Sequence, residues 1–391
     1  MSRVRSARFR RSAHLVSYWR DESLVIRNYA TGVLAAVPPS VVQVLNMFDE
    51  WRPVAYLAGR TGLSASAARR VVAHLEDATF LQRWSTSAEE RSSMDMWKAW
   101  NPAAGFFHTS TRDVRFLDPR ETDRDLRAKA RRVRMPPPVK RYPAARRYEL
   151  TKVRSDGEFA HVLLNRRTWR QFARTPLALD KLGVLLGMTG GIQHWASLRG
   201  QGDLPLKTSP SGGARHPIEL YVFARRVEGL PGGLYHYDGY RHRLNLLATH
   251  RRRVRVQRYL PTQFWYEGAA ALVFFTAVTA RYLWKYTYAR AYRALLIEAG
   301  HQCQTFCLSA TWLGLAPFCS MALADSRIEQ DLGLDGVSES VLYAAGVGMR
   351  PAGVTTASKP AGYRPLQVRP NPHVTEAAPA VSGTRRRKTN R

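Results

Sequence analysis

The sequence predicts an α+β protein with two folded domains joined by a basic connector. Three observations predict this organisation. Residues 1–95 combine a β-hairpin pattern with buried-face helical patterns, and residues 150–351 alternate helices with short apolar strands. Residues 96–149 are rich in arginine and proline, which is typical of a solvated, semi-extended connector. Residues 352–391 lack periodicity and are predicted to form a disordered basic tail.

The amino-acid composition limits the classes of protein to which this sequence can belong. The 391 residues are 45% hydrophobic and 23% charged, which is enough apolar material for a sizeable core and excludes wholesale disorder. Sixty Lys and Arg against 30 Asp and Glu leave a net charge of +30. Such a charge fits nucleic acid, an anionic surface, a phosphorylated ligand or an acidic peptide, and by itself it does not choose among them.

The location is predicted from what the chain lacks. No apolar stretch approaches the roughly 20 residues of a membrane helix, and the basic N-terminus has no apolar signal core. The three cysteines form no Cys-x-x-Cys pair and leave one thiol unpaired. These features favour a reduced, cytoplasmic protein without membrane contact.

The first domain has the element order of a winged helix. Leu15–Trp19 and Leu24–Asn28 predict a hairpin, and Phe80–Trp84 predicts a returning strand. Ser40 and Ser64 are placed to cap the first and third of three helices, with a short second helix over Pro53–Arg60. The buried faces of the first and third helices are Val41, Val44, Leu45, Phe48, Ala68, Val71, Val72 and Leu75.

A winged helix reads DNA through its third helix, which here carries Arg69, Arg70 and His74. The same helix also carries Glu76 and Asp77, and two arginines are few for a reader of DNA phosphates. The composition of this helix therefore favours a peptide-binding or structural module over a DNA-binding regulator.

In the second domain, buried strands are predicted at Leu220–Ala224, Ala271–Thr276 and Val341–Gly348, and a long helix at Ala289–Leu313. Alternating Arg166, Thr168 and Arg170 present forked cations and a hydroxyl, the donors that a phosphate needs; a solvated charged turn is the alternative.

A small-residue loop, Ser209–Pro217, precedes the first of these strands. Such a loop lets a flat ligand approach closely, with backbone N–H groups free to donate to it, although an ordinary turn has the same composition. A segment dense in aromatic and basic residues follows at Arg281–Arg293. Within it, Lys285 is a candidate general base and Tyr286 a proton donor or relay, unless the segment only packs.

The spacing does not predict a metal site at His301, Cys303 and Cys307. On a helix the two cysteines share a face that His301 does not, and no fourth ligand is spaced nearby. No metal is therefore predicted.

Taken in order, these features resemble the nitroreductase-like flavoproteins, and more narrowly the SagB-type dehydrogenases. The narrow resemblance rests on Ser209–Ala214, Gly233–Tyr237, Trp284–Tyr286 with Tyr292–Arg293, and Glu298–His301. It implies a mixed sheet flanked by helices, with FMN bound at the interface of a homodimer. Carried over to this sequence, the cofactor-binding residues are Arg166, Thr168, Arg170, Ser209, Pro210, Ser211, Gly212, Gly213, Phe318, Cys319, Ser320 and Arg350.

The resemblance also implies an activity, the oxidation of thiazoline or oxazoline rings in a ribosomally made precursor peptide, with Lys285 and Tyr286 as the catalytic pair. Adjacent residues point about 100° apart on an ideal helix, so both face one substrate only at a helix end or across a dimer. The absence of an NAD(P)H fingerprint favours dioxygen as the electron acceptor. A leader-binding first domain and a cyclodehydratase complex are further implications of the resemblance.

Two other functions stay open. One is a nitroreductase-like oxidoreductase that uses NAD(P)H on a small molecule. The other is a non-enzymatic protein that binds DNA through the winged helix.

Overall fold

The structure is a computed structural model. It describes residues 7–84, 93–141, 143–154, 156–200, 202–250, 254–358, 367–368, 371 and 373–374. Most of the tail predicted to be disordered lies outside these residues. None of the helices in the described ranges combines the length and the apolar character that crossing a bilayer requires.

The N-terminal part contains the predicted elements in the predicted order, with one correction at a helix cap. Ser64 caps its helix through the Ala67 N–H, whereas Ser40 is the first residue of its helix and Pro39 holds the cap position without a side-chain bond. The elements are β1 (Arg8–Arg11), β2 (Leu15–Arg20), β3 (Ser23–Asn28), β4 (Leu34–Ala36), α1 (Ser40–Asn46), β5 (Arg52–Pro53), α2 (Val54–Thr61), α3 (Ala65–Asp77) and β6 (Leu81–Arg83).

The returning strand does not join the hairpin. β6 pairs with β1 in a sheet of order β5-β1-β6, and the hairpin continues into β4 in a second sheet of order β2-β3-β4. Phe9, Ile26, Phe48 and Phe80, each at most 3% exposed, pack the helices against these strands. β1 lies outside the predicted elements because its four residues, Arg-Phe-Arg-Arg, carry a single apolar side chain.

Part of the connector is helical, which corrects the expectation of a semi-extended chain. α4 spans Ala103–Thr111 and α5 spans Pro119–Arg132. Asp118 and Glu121 form a reciprocal capping box at the start of α5, and basic residues in its last turn complement the helix dipole. No residue of α5 is buried, so the helix is solvated as the composition indicates.

The C-terminal part is built on one six-stranded sheet of order β11-β10-β9-β12-β14-β13, beside a separate β7-β8 hairpin. The predicted strands and the long helix are present with shifted ends. The elements are α6 (Glu158–Asn165), α7 (Leu179–Gly190), β7 (His194–Leu198), β8 (Gly202–Leu206), β9 (Ile218–Ala224), β10 (Gly233–Asp238), β11 (Arg243–Thr249), β12 (Ala271–Val278), α8 (Thr279–Leu283), α9 (Ala291–Trp312), β13 (Leu315–Ser320), α10 (Asp325–Leu332) and β14 (Glu339–Met349).

All pairings between strands of this sheet are antiparallel in the described residues, where a mixed sheet was expected. β12 and β13 do run parallel, joined by the crossover helix α9. β14 inserts between them and runs antiparallel to both, so the two parallel strands never become neighbours.

The aromatic segment before α4 docks onto the C-terminal part. Trp97 and Trp100 are fully buried, and their indole N–H groups donate to the carbonyls of Val337 and Tyr286. His108, 2% exposed, contacts the Tyr292 hydroxyl at 2.9 Å and the Gly336 carbonyl at 2.8 Å. The segment is therefore part of the core, and His108 has a structural role within it.

The burial of His108 predicts a loss of stability in acid. Burial lowers the pKa of His108 from 6.5 to about 4, so between these values the unfolded chain binds a proton that the folded chain does not. Stability from this group is complete above pH 6.5 and is lost as the pH falls towards 4. The expected loss between pH 7.5 and 5 is about 2 kcal/mol.

Urea unfolding of the full chain at both pH values measures this loss. His108→Gln is expected to be less stable at pH 7.5 but to lose about 2 kcal/mol less on going to pH 5. His194→Gln, at an exposed position of β7, should behave as the parent protein does. An unchanged pH dependence in His108→Gln would show that His108 does not cause the loss of stability in acid.

Candidate active site

The Ser209–Gly213 loop is fastened to α9. The Ser209 hydroxyl lies 2.8 Å from that of Thr305, and the Gly212 N–H donates to the Glu298 carboxylate at 2.7 Å. The prediction that the backbone N–H groups of this loop are free is therefore wrong for Gly212, because a buried carboxylate already accepts its hydrogen. Gly213 has φ +60° and ψ +25°, a left-handed conformation that favours glycine.

Glu298 is a residue whose role the sequence analysis missed. It is 4% exposed, it accepts hydrogen bonds from the Tyr282 hydroxyl and from the Gly212 N–H, and its Oε2 atom has no partner in the described part of the chain. Burial raises the pKa of Glu298. The signal in the sequence was a carboxylate within the apolar stripe of α9.

Lys285 and Tyr286 lie together, just after the C-terminal end of α8. A Cβ atom built on Gly213 would lie 2.6 Å from Lys285 Nζ and 2.8 Å from the Tyr286 hydroxyl. The lysine ammonium also lies 5.7 Å from the centre of the Tyr286 ring. Because both residues follow the helix end, they meet at one point in spite of being adjacent in sequence.

Arg166, Thr168 and Arg170 lie on an extended segment after α6 and are all half-buried, whereas Arg167 between them is exposed. The Trp169 N–H donates to the Pro317 carbonyl at 2.9 Å, so this segment runs beside β13. Among the described residues, the side chains of Arg166, Thr168 and Arg170 have no hydrogen-bond or ion-pair partner. The segment therefore holds two sheltered cations and a hydroxyl with unused donors.

Arg350, unlike Arg166 and Arg170, already donates hydrogen bonds within the described part of the protein. Its guanidinium donates to the carbonyls of Leu315 and Thr311 and lies 5.4 Å from the centre of the Trp169 ring. Burial lowers its pKa. Two of its five N–H groups thus donate to the end of α9 and the start of β13, which leaves three for any ligand.

Phe318, Cys319 and Ser320 form the second half of β13, an outer strand of the sheet. The Phe318 ring is buried and stacks on Tyr266 at 3.7 Å, and the Ser320 hydroxyl donates to Gln263. Since Pro317 directs its carbonyl outward to Trp169, the two-residue period of a strand directs the backbone groups of Cys319 to the same outer edge.

Cys319 also belongs to a cluster of thiols that the sequence did not predict. The Sγ atoms of Cys303, Cys307 and Cys319 lie within 4.8 Å of one another, and the Tyr343 hydroxyl donates to Cys319 at 3.3 Å. Hydrogen bonds from Cys303 and Cys307 hold the pKa of Cys319 below its ordinary value. His301 is exposed and takes no part. Cys319 is close to its partners only because β13 packs against α9.

The predicted residues therefore form two groups along α9. The loop with Lys285 and Tyr286 lies near Glu298, and the arginine segment with β13 lies near Cys307 and the end of the helix. One group presents a lysine and a phenol at a single point, and the other presents cations and hydroxyls suited to an anion.

The family comparison matches the part of the chain that holds these residues. The sequence model of the nitroreductase family matches residues 163–349. Among solved structures, a nitroreductase-type protein from Anabaena variabilis is 25% identical, with a TM-score of 0.42 over 52% of this chain and 41% of that one. The Escherichia coli microcin synthetase complex McbBCD, solved with truncated pro-MccB17, is 18% identical, with a TM-score of 0.42 over 68% of this chain and 100% of the matched chain.

Two curated proteins are similar to parts of this chain. The trifolitoxin-processing protein TfxB of Rhizobium leguminosarum bv. trifolii is 28% identical over 172 residues, which are 43% of this chain and 46% of TfxB. This chain thus matches less than half of TfxB. The protein MJ1384 of Methanocaldococcus jannaschii, named as a nitroreductase, is 30% identical over 171 residues, which are 44% of this chain and 82% of that protein. Through residues 163–349 this chain belongs to the nitroreductase family, as its motifs predicted.

Proposed function

We propose that the protein is an FMN-dependent dehydrogenase that oxidises thiazoline or oxazoline rings in a ribosomally made peptide to thiazoles or oxazoles. The observation that carries the proposal is the meeting of Lys285 and Tyr286 beside Gly213 at the end of α8. A lysine and a phenol converging on a loop of small residues supply a base and a hydrogen-bond donor at one point of the site.

The residues present fit a flavin phosphate. Arg166, Thr168 and Arg170 are half-buried and carry unused donors, and half-buried cations without a carboxylate partner favour an anion. These three residues would hold the phosphate and the ribityl chain, with Arg350 supplying N–H groups that its two carbonyl partners leave unused. The Ser209–Gly213 loop and the outer edge of Phe318–Ser320 would lie along the ring system.

Aromatisation of an azoline removes a proton from one ring carbon and a hydride from the next. The flavin supplies the hydride acceptor when it is bound. Lys285 takes the proton or orients the group that does so, and Tyr286 donates a hydrogen bond to the ring or relays the proton. Glu298 holds Gly212 and thereby the loop against which both side chains rest.

The nature of the substrate is inferred from the relatives and from charge. TfxB is a processing protein for trifolitoxin, which supports a peptide substrate over the matched region. The net charge of +30 suits an acidic leader segment. In the described N-terminal part, the outer edges of β2 and β4 have no strand partner, so a leader peptide could add a strand there.

A homodimer is part of the proposal. α6 and α9 expose apolar side chains that a second copy would cover, among them Phe159 at 73% and Ile297 at 56% exposure. A cyclodehydratase that makes the azoline would supply the substrate. The second candidate function, an NAD(P)H-dependent reductase of small molecules, is favoured by the match to 82% of MJ1384.

The test begins with the visible spectrum of the purified protein and the mass of the molecule that heat releases. We expect a yellow protein that releases FMN and converts an azoline peptide to the azole with uptake of dioxygen. Arg166→Ala should lose FMN, whereas Arg167→Ala, which changes the exposed neighbour, should retain it. A flavin-loaded protein that reduces nitroaromatics with NAD(P)H and leaves azoline peptides unchanged would overturn the proposal in favour of the second candidate.

A further inference from the structure

A polar cavity lies beside the candidate active site and is not used by the proposed chemistry. It has a volume of about 440 Å³. We call it the flank pocket and define it by Lys207, His216, Glu219, His236, Arg281 and Trp284. Trp195 and Tyr240, both at least half exposed, add aromatic surface to its walls.

Only a thin wall separates the flank pocket from Lys285 and Tyr286. Arg215 lines the pocket, lies 4.9 Å from the centre of the Trp284 ring and donates through Nε to the Gly213 carbonyl. Gly213 in turn faces Lys285 and Tyr286. Gly213 and Arg215 therefore stand between Lys285 and the flank pocket.

The carboxylates of the flank pocket are already bonded. Glu219 engages both oxygens, one with His236 at 2.9 Å and the other with Arg281 at 2.6 Å. Asp203 accepts from the Ser197 hydroxyl, and Asp238 accepts from two backbone N–H groups of the turn after β10. Each acid in the wall thus has its own donors.

Lys207 is a cation of the flank pocket to which none of these acids is bonded in the described residues. In the described residues its ammonium makes no hydrogen bond and has no carboxylate within 4.0 Å. Burial lowers the pKa of Lys207. His216, 4% exposed, contributes a buried Nδ1 atom that also lacks a partner in the same part of the chain. A sheltered charge and an unpaired ring nitrogen both become more stable when a ligand pairs with them.

We propose that the flank pocket binds a carboxylate of the substrate, next to the ring that is oxidised. The inference rests on the proposed function for the identity of that substrate. A singly charged, planar group fits the single free ammonium, whereas the three nearby acids would repel the second charge of a phosphate. The aromatic walls would cover the apolar atoms that carry the carboxylate.

Direct binding tests the pocket without any turnover. The probes are benzoate and its neutral counterpart benzamide. Their binding to the full chain is measured by the quenching of tryptophan fluorescence. Benzoate should bind and benzamide should not. Lys207→Met should weaken benzoate about ten- to hundredfold, and Lys207→Arg should restore most of the affinity.

Lys152→Met is the matched control, because it removes the same charge from an exposed position away from the pocket. Equal weakening in Lys152→Met and Lys207→Met would show an effect of net charge and overturn the assignment. Equal binding of benzoate and benzamide would do the same.

Steady-state kinetics then test the source of the carboxylate. Azoline peptides are compared in pairs that carry Asp or Asn, or Glu or Gln, beside the ring. The acidic member should have the lower KM by about tenfold or more, with similar kcat, and Lys207→Met should abolish this preference. If benzoate binds through Lys207 but the paired peptides do not differ in KM, the pocket binds a free carboxylic acid. The proposal that it binds a carboxylate of the substrate would then be wrong.

The two proposals fail in different ways. Benzoate binding that depends on Lys207, without turnover of any azoline peptide, would reject the azoline chemistry and keep the carboxylate pocket. Azoline turnover without benzoate binding or acid preference would reject the pocket alone.

Discussion

Replacing Lys285 by methionine is expected to lower kcat for azoline oxidation by about 10²- to 10⁴-fold, the usual contribution of a positioned general base. Methionine keeps the unbranched shape of the side chain and removes the amine. Tyr286→Phe, which removes only the hydroxyl, should also lower kcat. Neither residue belongs to the Arg166–Arg170 segment, so FMN should remain bound in both variants.

The measurement is the rate of azole formation under saturating peptide, with the flavin content determined from the visible spectrum of the same samples. Lys152→Met and Tyr148→Phe make the same chemical changes at exposed positions and should match the parent protein. Full activity in Lys285→Met would remove the lysine from the mechanism. Loss of FMN in either variant would mean that the pair supports the cofactor.

Gly213→Ala is the second substitution for which we expect a large effect. A Cβ atom at this position would lie 2.6 Å from Lys285 Nζ and 2.8 Å from the Tyr286 hydroxyl. Both contacts involve the ends of side chains, so the side chains move and the backbone stays. Because a small misplacement of a catalytic group can cost about 100-fold in rate, we expect kcat to fall by about that factor.

The control for Gly213→Ala is Gly229→Ala. Gly229 has φ +69°, against +60° for Gly213, but an added Cβ there meets nothing within 4 Å. The left-handed backbone should therefore destabilise both variants by a similar amount, about 1 kcal/mol. Thermal unfolding measures this shared cost, and only Gly213→Ala should lose turnover. Equal activity of the two variants would show that the catalytic pair tolerates displacement from the loop.

Local patterns were sufficient for much of the secondary structure. The apolar spacing of α9, the hairpin of β2 and β3 and the cap at Ser64 depend on interactions between residues close in sequence, and all three are present. The connector was the exception among local features. There the composition favoured an extended chain, although Asp118 and Glu121 carried a capping box that starts a helix.

Long-range packing decided what the patterns left open. No local signal places β14 between β12 and β13, because strand order depends on contacts between residues far apart in sequence. The same holds for β6 on β1, and for Cys319, which lies in β13, beside Cys303 and Cys307. The unpaired ammonium of Lys207 is also a tertiary property, since its neighbours come from separate strands and loops.

Residue types and their order were enough to assign the nitroreductase family and to predict which residues to examine for the candidate chemistry. The tertiary structure alone decided that Lys285 and Tyr286 reach one point. On a continuous helix they would diverge by about 100°, and they meet because α8 ends at Leu283 and the Gly213 loop packs against them. It also decided that Gly212 is bound to Glu298, because α9 brings that buried carboxylate to the loop.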